Sequence, residues 1–379
     1  MEPSEHVAGR VISLRNFGGV MFLSLVTGAG KRDLVCDREV LGPEGFSMVR
    51  RLRRGYFCRV AVVARGKDVC VKRVLCCHSA SGDQGWGDRT GFLLQAYSFL
   101  LCKIREHLGR AGYVEVRLPC VHFGHMKKDC FPLEFFGKPA RLSSSNALFS
   151  NAFAMQLVRV YSIQRCFRAE KSRTRKHLAE FDMLEVTTLC SVLEEEMQRV
   201  EDLVLALIDI IGESEFAALL LPEVTASAKL PFRRLSYASV EADYNLAGKG
   251  LGCHDVVIAG KAPVFVTHFP EAIGSWTAES LGHGCSASFN LLLPNAGEVA
   301  EGAQRHNDKI ALMAKFRALG LEDQLGWYAQ SISYAECRST GFGLGVERLA
   351  MWLFGVRNIR ALQPIFRDTR FSEVRPCEA

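Results

Sequence analysis

No Cys-x-x-Cys pair occurs among the fourteen cysteines of this 379-residue chain. Zinc-ribbon spacing is therefore absent, and a secreted disulfide scaffold is at odds with the length. The thiols are expected to be reduced and mostly buried in a cytoplasmic protein. No apolar run reaches the roughly 18 residues that a membrane-spanning helix needs, so no membrane partner is expected. The start, MEPSEHVAGR, lacks a basic stretch followed by an apolar core and does not read as a secretory leader. Internal repeats, low-complexity tracts, a P-loop and a Rossmann fingerprint are all missing. What remains, at 48% hydrophobic and 23% charged residues, is a globular composition. The length sets two to three domains as the prior.

The charge is unevenly spread. Residues 1–77 carry fourteen Lys/Arg against seven Asp/Glu, a balance of +7, and residues 78–379 carry thirty-three against thirty-four. A small basic module joined to a large neutral one points to a polyanionic partner for the small one; a solvated basic surface is the plain alternative. Its β-branched runs, VAGRVISLR, VMFLSLV, RDLVC, YFCRVAVVA and DVCVKRVL, surround a short basic helix expected at 43–54. Three strands, a helix and two strands fit the order of a five-stranded OB barrel. Phe22 is a stacking candidate for a nucleobase and Arg15 a phosphate or base contact. Period-2 alternation leaves open whether Phe22 faces the core.

Residues 78–91, rich in Gly, Ser and Asp up to Asp88, read as a linker, and 92–379 as a second, α+β domain. A helix is expected from about Phe92 to Leu108, followed by the strand VEVRLP. A second helix is expected from about Val192 to Ile211, with Ser191 and Glu194 at capping-box spacing and Val200, Leu203, Val204, Leu207, Ile208 and Ile211 on one face. His122 and His125 have metal-like spacing, but no Cys or acid completes a zinc set, so a structural role is expected.

Two stretches carry chemistry. In 158–185, two strand-like runs flank the polar loop EKSRTRKHLA, which reads as a hairpin. Arg168 and Glu170 are expected on one face of the first strand. Phe181, Met183 and Glu185 are expected on one face of the second. An Arg fork, loop cations and an aromatic face together suit a nucleotide; an ordinary charged surface hairpin is the alternative. In 341–360, GFGLGVERLAMWLFGVRNIR, three alternating glycines precede a helix expected to open near Val346 and stop at Gly355. Arg348 falls in its first turn. Positions without side chains let a ligand approach the backbone.

Together these stretches resemble motifs 2 and 3 of the class II aminoacyl-tRNA synthetases, in the aspartyl/asparaginyl/lysyl subgroup. FLLQAYSFLLCKIREHLGRAGYVEVRLP resembles motif 1, and HLAEF with LFSNAF is most similar to the asparaginyl type. The resemblance implies an N-terminal OB anticodon-binding barrel, a six-stranded antiparallel catalytic sheet flanked by helices, and a homodimer formed through motif 1. It further implies ATP and Mg2+ as cofactors and tRNA and asparagine as partners.

By the same resemblance Arg168 holds the α-phosphate and the substrate carboxylate, and Glu170 orients the adenine side. Lys176, standing where the family usually has Arg, and His177 contact the outer phosphates. Phe181 and Arg348 cover the two faces of adenine, with Arg348 also reaching the γ-phosphate. Leu178 and Gly345 complete the ATP set. Glu298 and Glu301 form the expected metal pair, and Ser145 and Arg305 join Arg168 on the amino acid.

No Lys lies between Pro139 and Glu170, where the aspartyl type holds its substrate's carboxylate. A buried carboxylate without a cation is strongly disfavoured, which favours a neutral side chain. The amino-acid side departs from the family elsewhere: Ala147 and Asn151 replace Gln and Glu, Ile332 and Ser333 replace arginines, Ser339 replaces His, and Asn290 and Ala361 stand where Asp is frequent. Arg338 offers a substitute from a shifted position. Two alternatives stay open: a synthetase-like paralogue that binds RNA and ATP without charging tRNA, and an aspartate–tRNA ligase.

Overall fold

The computed structural model describes residues 5–78, 88–123, 130–172, 174–246, 248–275, 277–306, 308–318, 320–332, 338–363, 365–367 and 369. Contacts divide the chain into two compact units, one running through residue 95 and the other from 96 to 373. Residues 79–87 of the expected linker lie outside the described residues.

The first unit is a closed barrel. Strands β1 (Glu5–Asn16), β2 (Val20–Thr27) and β3 (Gly30–Asp37) lead into helix α1 (Arg38–Arg50), and β4 (Phe57–Arg65) and β5 (Asp68–His78) complete the order β1-β2-β3-β5-β4. This is the OB order expected. The helix runs 38–50 rather than 43–54. Asp37 caps its first turn by accepting from the Glu39 N–H. Gly42 (φ +70°) then breaks it, and Pro43 opens the second segment, where a missing N–H costs nothing. Met21, Leu23 and Leu25 of β2 are fully buried with Val11, Val60 and Val71. Alternation therefore turns Phe22 outward, at 39% exposure, and cross-strand register sets Arg15 opposite it. Phe17, which sequence reasoning passed over, meets Phe22 edge-on at 5.8 Å between centroids.

Helix α2 (Asp88–Arg110) starts four residues earlier than expected, and its residues from Ala96 onward belong to the second unit. Strand β6 is only Val114–Glu115, shorter than the VEVRLP run. A small sheet of β7 (Val121–Phe123), β8 (Pro132–Phe135) and β9 (Lys138–Leu142) follows, then α3 (Ala147–Leu157), β10 (Arg159–Phe167), β11 (Glu180–Leu189) and α4 (Leu193–Gly212). Next come α5 (Pro222–Ser227), β12 (Arg233–Ser236), α6 (Tyr237–Tyr244), α7 (Asp255–Ala259), β13 (Val264–Thr267), β14 (Ser280–Gly282) and β15 (Cys285–Ser286). The chain continues through β16 (Ser288–Leu293), β17 (Gly297–Gln304), α8 (Lys309–Ala318), α9 (Glu322–Ser331), β18 (Ser339–Gly345) and α10 (Val346–Leu353).

Eight strands form the main sheet in the order β12-β13-β16-β17-β18-β11-β10-β6. The inner six pair antiparallel, as expected; β12 and β6 add to the two edges in parallel. Helix α4 buries the apolar face read from the sequence. Its cap is shifted by one residue from the expected spacing. Glu195, not Glu194, reaches back to the Val192 N–H and takes the Ser191 hydroxyl.

Gly302 on β17 faces Phe289 of β16 across the ladder. A Cβ at 302 would overlap the fully buried Phe289 ring, which packs edge-on against Phe265 at 5.3 Å. A glycine-to-alanine change in a strand ordinarily helps by restricting the unfolded chain. Here we expect Gly302→Ala to destabilise the fold by about 1–3 kcal/mol through overpacking, read as a lowered midpoint in thermal or urea unfolding.

Candidate active site

The pleated face of β11, β17 and β18 floors a cavity of about 900 Å³, walled by the β10–β11 loop and the first turn of α10. In-register residues of antiparallel neighbours share a face. Asn290, Glu301, Gly343 and Glu185 therefore form one row across β16, β17, β18 and β11. Gly341, Gly343 and Gly345 keep the floor low. A Cβ at 341 would come within 3.0 Å of the Arg305 guanidinium and 2.6 Å of the Val186 carbonyl.

The hairpin forms as read, with Phe167 opposite Glu180. Its first strand ends at Phe167, so Arg168 and Glu170 stand on the loop and not in the strand, a correction to the expected placement. The Arg168 N–H still donates to the Ala179 carbonyl at 2.9 Å, extending the ladder by one rung. This holds the guanidinium 5.4 Å from the Phe181 ring centroid, a cation–π distance. Arg168, Glu170, Lys176, His177, Leu178, Phe181, Glu298, Glu301, Ser145, Arg305, Gly345 and Arg348 all line the cavity. Arg173 and Ser333 lie outside the described residues.

Helix α10 opens at Val346, as expected, and Arg348 uses its two ends differently. Nε donates to the Lys176 carbonyl at 3.2 Å and Nη1 to the Glu298 carbonyl at 2.5 Å. Burial lowers its pKa, opposed by the Glu298 carboxylate. Lys176 pairs with Asp255, whose Oδ2 also accepts the Glu298 N–H at 3.0 Å. Glu298 accepts from the Asn290 amide at 2.8 Å, and burial, then the neighbouring Glu301, raises its pKa.

Two further groups of opposite charge line the cavity. Glu185 is buried at 2% exposure; it accepts the Ser145 hydroxyl at 2.5 Å and the Asn146 N–H at 2.8 Å. Burial raises its pKa, and the Ser145 and Asn146 bonds, then Arg305, pull it back. Arg305 is 6% exposed. Its Nη1 donates to Thr277 at 3.2 Å, and its Nε has no partner among the described residues.

Sequence reasoning put Glu185 on the face of Phe181 and Met183 without naming it a site residue, and it missed Thr277 and Asp255. No local pattern marks the last two, because each reaches the site across tens of residues. Asn151 does not line the cavity; its amide donates to Tyr328 at 2.8 Å. Arg338 pairs with Glu279 at 3.5 Å and does not line the cavity either. His122 bonds Asn146 at 2.8 Å and also lines the cavity; His125 lies outside the described residues.

A family model described as tRNA synthetases class II (D, K and N) matches residues 89–368. The chain belongs to that family. This class II synthetase is 28% identical over 306 residues to the cytoplasmic asparagine–tRNA ligase of Saccharomyces cerevisiae, covering 74% of this chain and 55% of that protein. It is 31% identical over 267 residues to the asparagine–tRNA ligase of Mycoplasma capricolum, covering 62% and 59%. The aligned part thus spans between half and three fifths of the length of these curated relatives. Among solved structures, asparaginyl-tRNA synthetase from Pyrococcus horikoshii, complexed with asparaginyl-adenylate, superposes with a TM-score of 0.80. The sequence identity is 25%, over 98% of this chain and 96% of that one.

His177 reports on the electrostatics of the synthetase cavity. Burial, then Arg348 and Lys176, push its pKa down to about 4. An unfolded imidazole takes its proton near pH 6.5, the folded one only near 4. Between these values the unfolded state binds more protons, so stability falls as pH drops from about 6.5 towards 4. In urea unfolding across that window, His177→Gln is expected to flatten part of the loss.

Proposed function

We propose that this chain is an ATP-dependent asparagine–tRNA ligase. The observation that carries the amino-acid assignment is that Glu185 and Arg305, buried and of opposite charge, both line the cavity. A side-chain amide offers an N–H2 to a carboxylate and a C=O to a guanidinium, satisfying both. A substrate carboxylate would instead meet the buried Glu185 charge, which disfavours aspartate by like-charge repulsion. That argues against the aspartate alternative. Ser145, Arg168 and Arg305 would make up the amino-acid site.

In the first step an oxygen of the asparagine carboxylate attacks the α-phosphorus of ATP in line. An O–P bond forms, and pyrophosphate leaves with the electrons of the broken bond. Arg168 would hold both reacting anions; Phe181 and Arg348 would hold the adenine, and Glu170 its edge. Lys176 and His177, beside Leu178 and Gly345, would line the path of the outer phosphates. Such chemistry needs positioning and charge neutralisation more than a base. The hard carboxylate oxygens of Glu298 and Glu301 suit Mg2+. Burial, then the proximity of Glu301, raises the Glu298 pKa, and Asn290 occupies only one oxygen of Glu298. These two residues would hold Mg2+, which when bound offsets phosphate charge. In the second step a hydroxyl of the tRNA's terminal ribose attacks the activated carbonyl carbon. The ester C–O bond forms, the bond from that carbon to the phosphate oxygen breaks, and AMP leaves, its phosphate taking up the hydroxyl proton.

We further infer that residues 1–77 form the RNA-binding module, residues 78–91 a linker ending in the start of α2, and 92–379 the catalytic domain. In the barrel, Arg15 and the exposed Phe22 would meet single-stranded bases. A homodimer through motif 1 and a cytoplasmic location accompany this reading. Among the described residues no helix is long and apolar enough to cross a membrane.

ATP–pyrophosphate exchange tests the reading directly. Exchange is expected with asparagine and not with aspartate. Arg168→Ala should lower it by about a hundredfold or more, and Glu185→Gln should erode the preference over aspartate. Absence of exchange with every amino acid, in protein that binds ATP and tRNA, would instead favour the paralogue that does not charge tRNA, the reading that Ala147 and the diversion of Asn151 to Tyr328 support.

The barrel generates its own expectation. Phe22→Ala should weaken tRNA binding by about 1–3 kcal/mol, the scale of one base–aromatic stack, in filter binding or fluorescence titration. Binding should fall steeply with salt. Unchanged affinity would remove Phe22 from the RNA-binding face.

A further inference from the structure

We propose that Asp255 is a positioning residue for the triphosphate end of the nucleotide, acting through Lys176. The inference rests on the reading of the cavity as an ATP site, and deepens it. Asp255 opens α7, is only 3% exposed, and does not itself line the cavity. Its Oδ1 accepts the Val256 N–H at 2.8 Å, and its Oδ2 accepts the Glu298 N–H at 3.0 Å. Two backbone amides therefore fix the carboxylate. The same Oδ2 receives the Lys176 ammonium. A lysine is a point charge on a flexible four-carbon stem, and its position is normally loose. Here the backbone decides where the charge sits, because the carboxylate that holds it is itself held.

An ammonium has three donors. Asp255 takes one; among the described residues no other partner takes the remaining two, which are left for phosphate oxygens on the cavity side, where Lys176 is a lining residue. The slot is purpose-built on the opposing strand. Gly297, at φ +70°, has no room for a side chain; a Cβ would overlap the Asp255 carboxylate and crowd the Lys176 ammonium. Arg348 binds the carbonyls of Lys176 and Glu298, while Asp255 binds the side chain of the first and the N–H of the second. Two charged groups thus clamp the same two residues through different atoms. One of those residues faces the outer phosphates, and the other carries a proposed metal carboxylate. Asp255 sets the distance between them.

The test compares ATP with AMP, which lacks the β- and γ-phosphates, by isothermal titration calorimetry on the full chain. Asp255→Asn keeps the size and an acceptor for the Glu298 N–H but gives up the charge. It is expected to weaken ATP about tenfold or more and to leave AMP within twofold. Lys176→Met should show the same ATP-selective loss, and the double variant no further loss. If Asp255→Asn does not fold, Asp255→Glu serves: it keeps the charge, displaces the ammonium by a methylene, and should give a smaller loss confined to ATP. Equal losses for ATP and AMP would reduce Asp255 to a structural role and overturn the proposal. ATP binding that is unchanged or tighter would also overturn it, since Asp255 would then be a competitor for Lys176. Wild-type protein that binds neither nucleotide would overturn the ATP reading itself, a distinct result.

Discussion

Arg348 donates to the carbonyls of Lys176 and Glu298, residues that lie 172 and 50 positions away in the chain. The first belongs to the loop between β10 and β11, the second to β17. Without this bridge the loop is an excursion at the end of a hairpin, and loops ordinarily sit among the mobile parts of a fold. With it, the cations of the loop and the carboxylates of the strand share one frame. A guanidinium suits the task because its donors lie in a fixed planar fork, so two acceptors on different segments are held at a set separation. The first turn of a helix suits it too, since Arg348 is there anchored by α10, whose apolar residues are all buried. The bridge ties the β10–β11 loop to β17 on the rim of the cavity.

The cavity balances opposite charges within a small volume, and the balance explains several substitutions relative to the family pattern. Asn290 and Glu301 are direct cross-strand partners. An acid at 290 would confront both Glu298 and Glu301, three carboxylates around one point. With an amide there, Asn290 becomes a donor to Glu298, and the negative charge is carried one strand over, at 301. Lys176 and Asp255 form a similar matched pair: a compact ammonium in place of a guanidinium fork, answered by a short carboxylate whose own position is backbone-fixed. Changes that look like losses when read one at a time are consistent when read as pairs in space.

Much of the fold was legible because its signals are local. The glycine strand of β18, the start of α10, the hairpin, the apolar face of α4 and the barrel order all follow from periodicity and turn chemistry within a few residues. Boundaries were less legible. Helix α1 began five residues early because Asp37 caps a turn ahead of the Gly42 break, and the capping acid of α4 was off by one. The direction of a strand's alternation was not legible at all. Period 2 says that Phe22 and Met21 face opposite ways, not which of them is inside; only closure of the barrel decides it. Asp255 and Thr277 were illegible for a different reason. Their partners, Lys176 and Arg305, lie 79 and 28 residues away, and a lone Asp or Thr carries no pattern of its own.

Glu185 lies between these cases, and it bears most on specificity. Its alternation with Phe181 and Met183 put it on the right face, but its role depends on neighbours that the sequence does not reveal. A carboxylate at 2% exposure is tolerable only if its charge is answered. Ser145 and the Asn146 N–H answer part of it, and Arg305 contributes at longer range. Arg305 in turn keeps an Nε without a partner among the described residues. Both Glu185 oxygens already accept a hydrogen bond, and a carboxylate has lone pairs for more; a primary amide would add a donor there and offer its carbonyl to the under-used guanidinium. A second carboxylate could satisfy only the guanidinium, at the cost of facing Glu185. On the proposed function, the polarity of the pocket, more than its shape, would separate asparagine from aspartate, two side chains of nearly equal size.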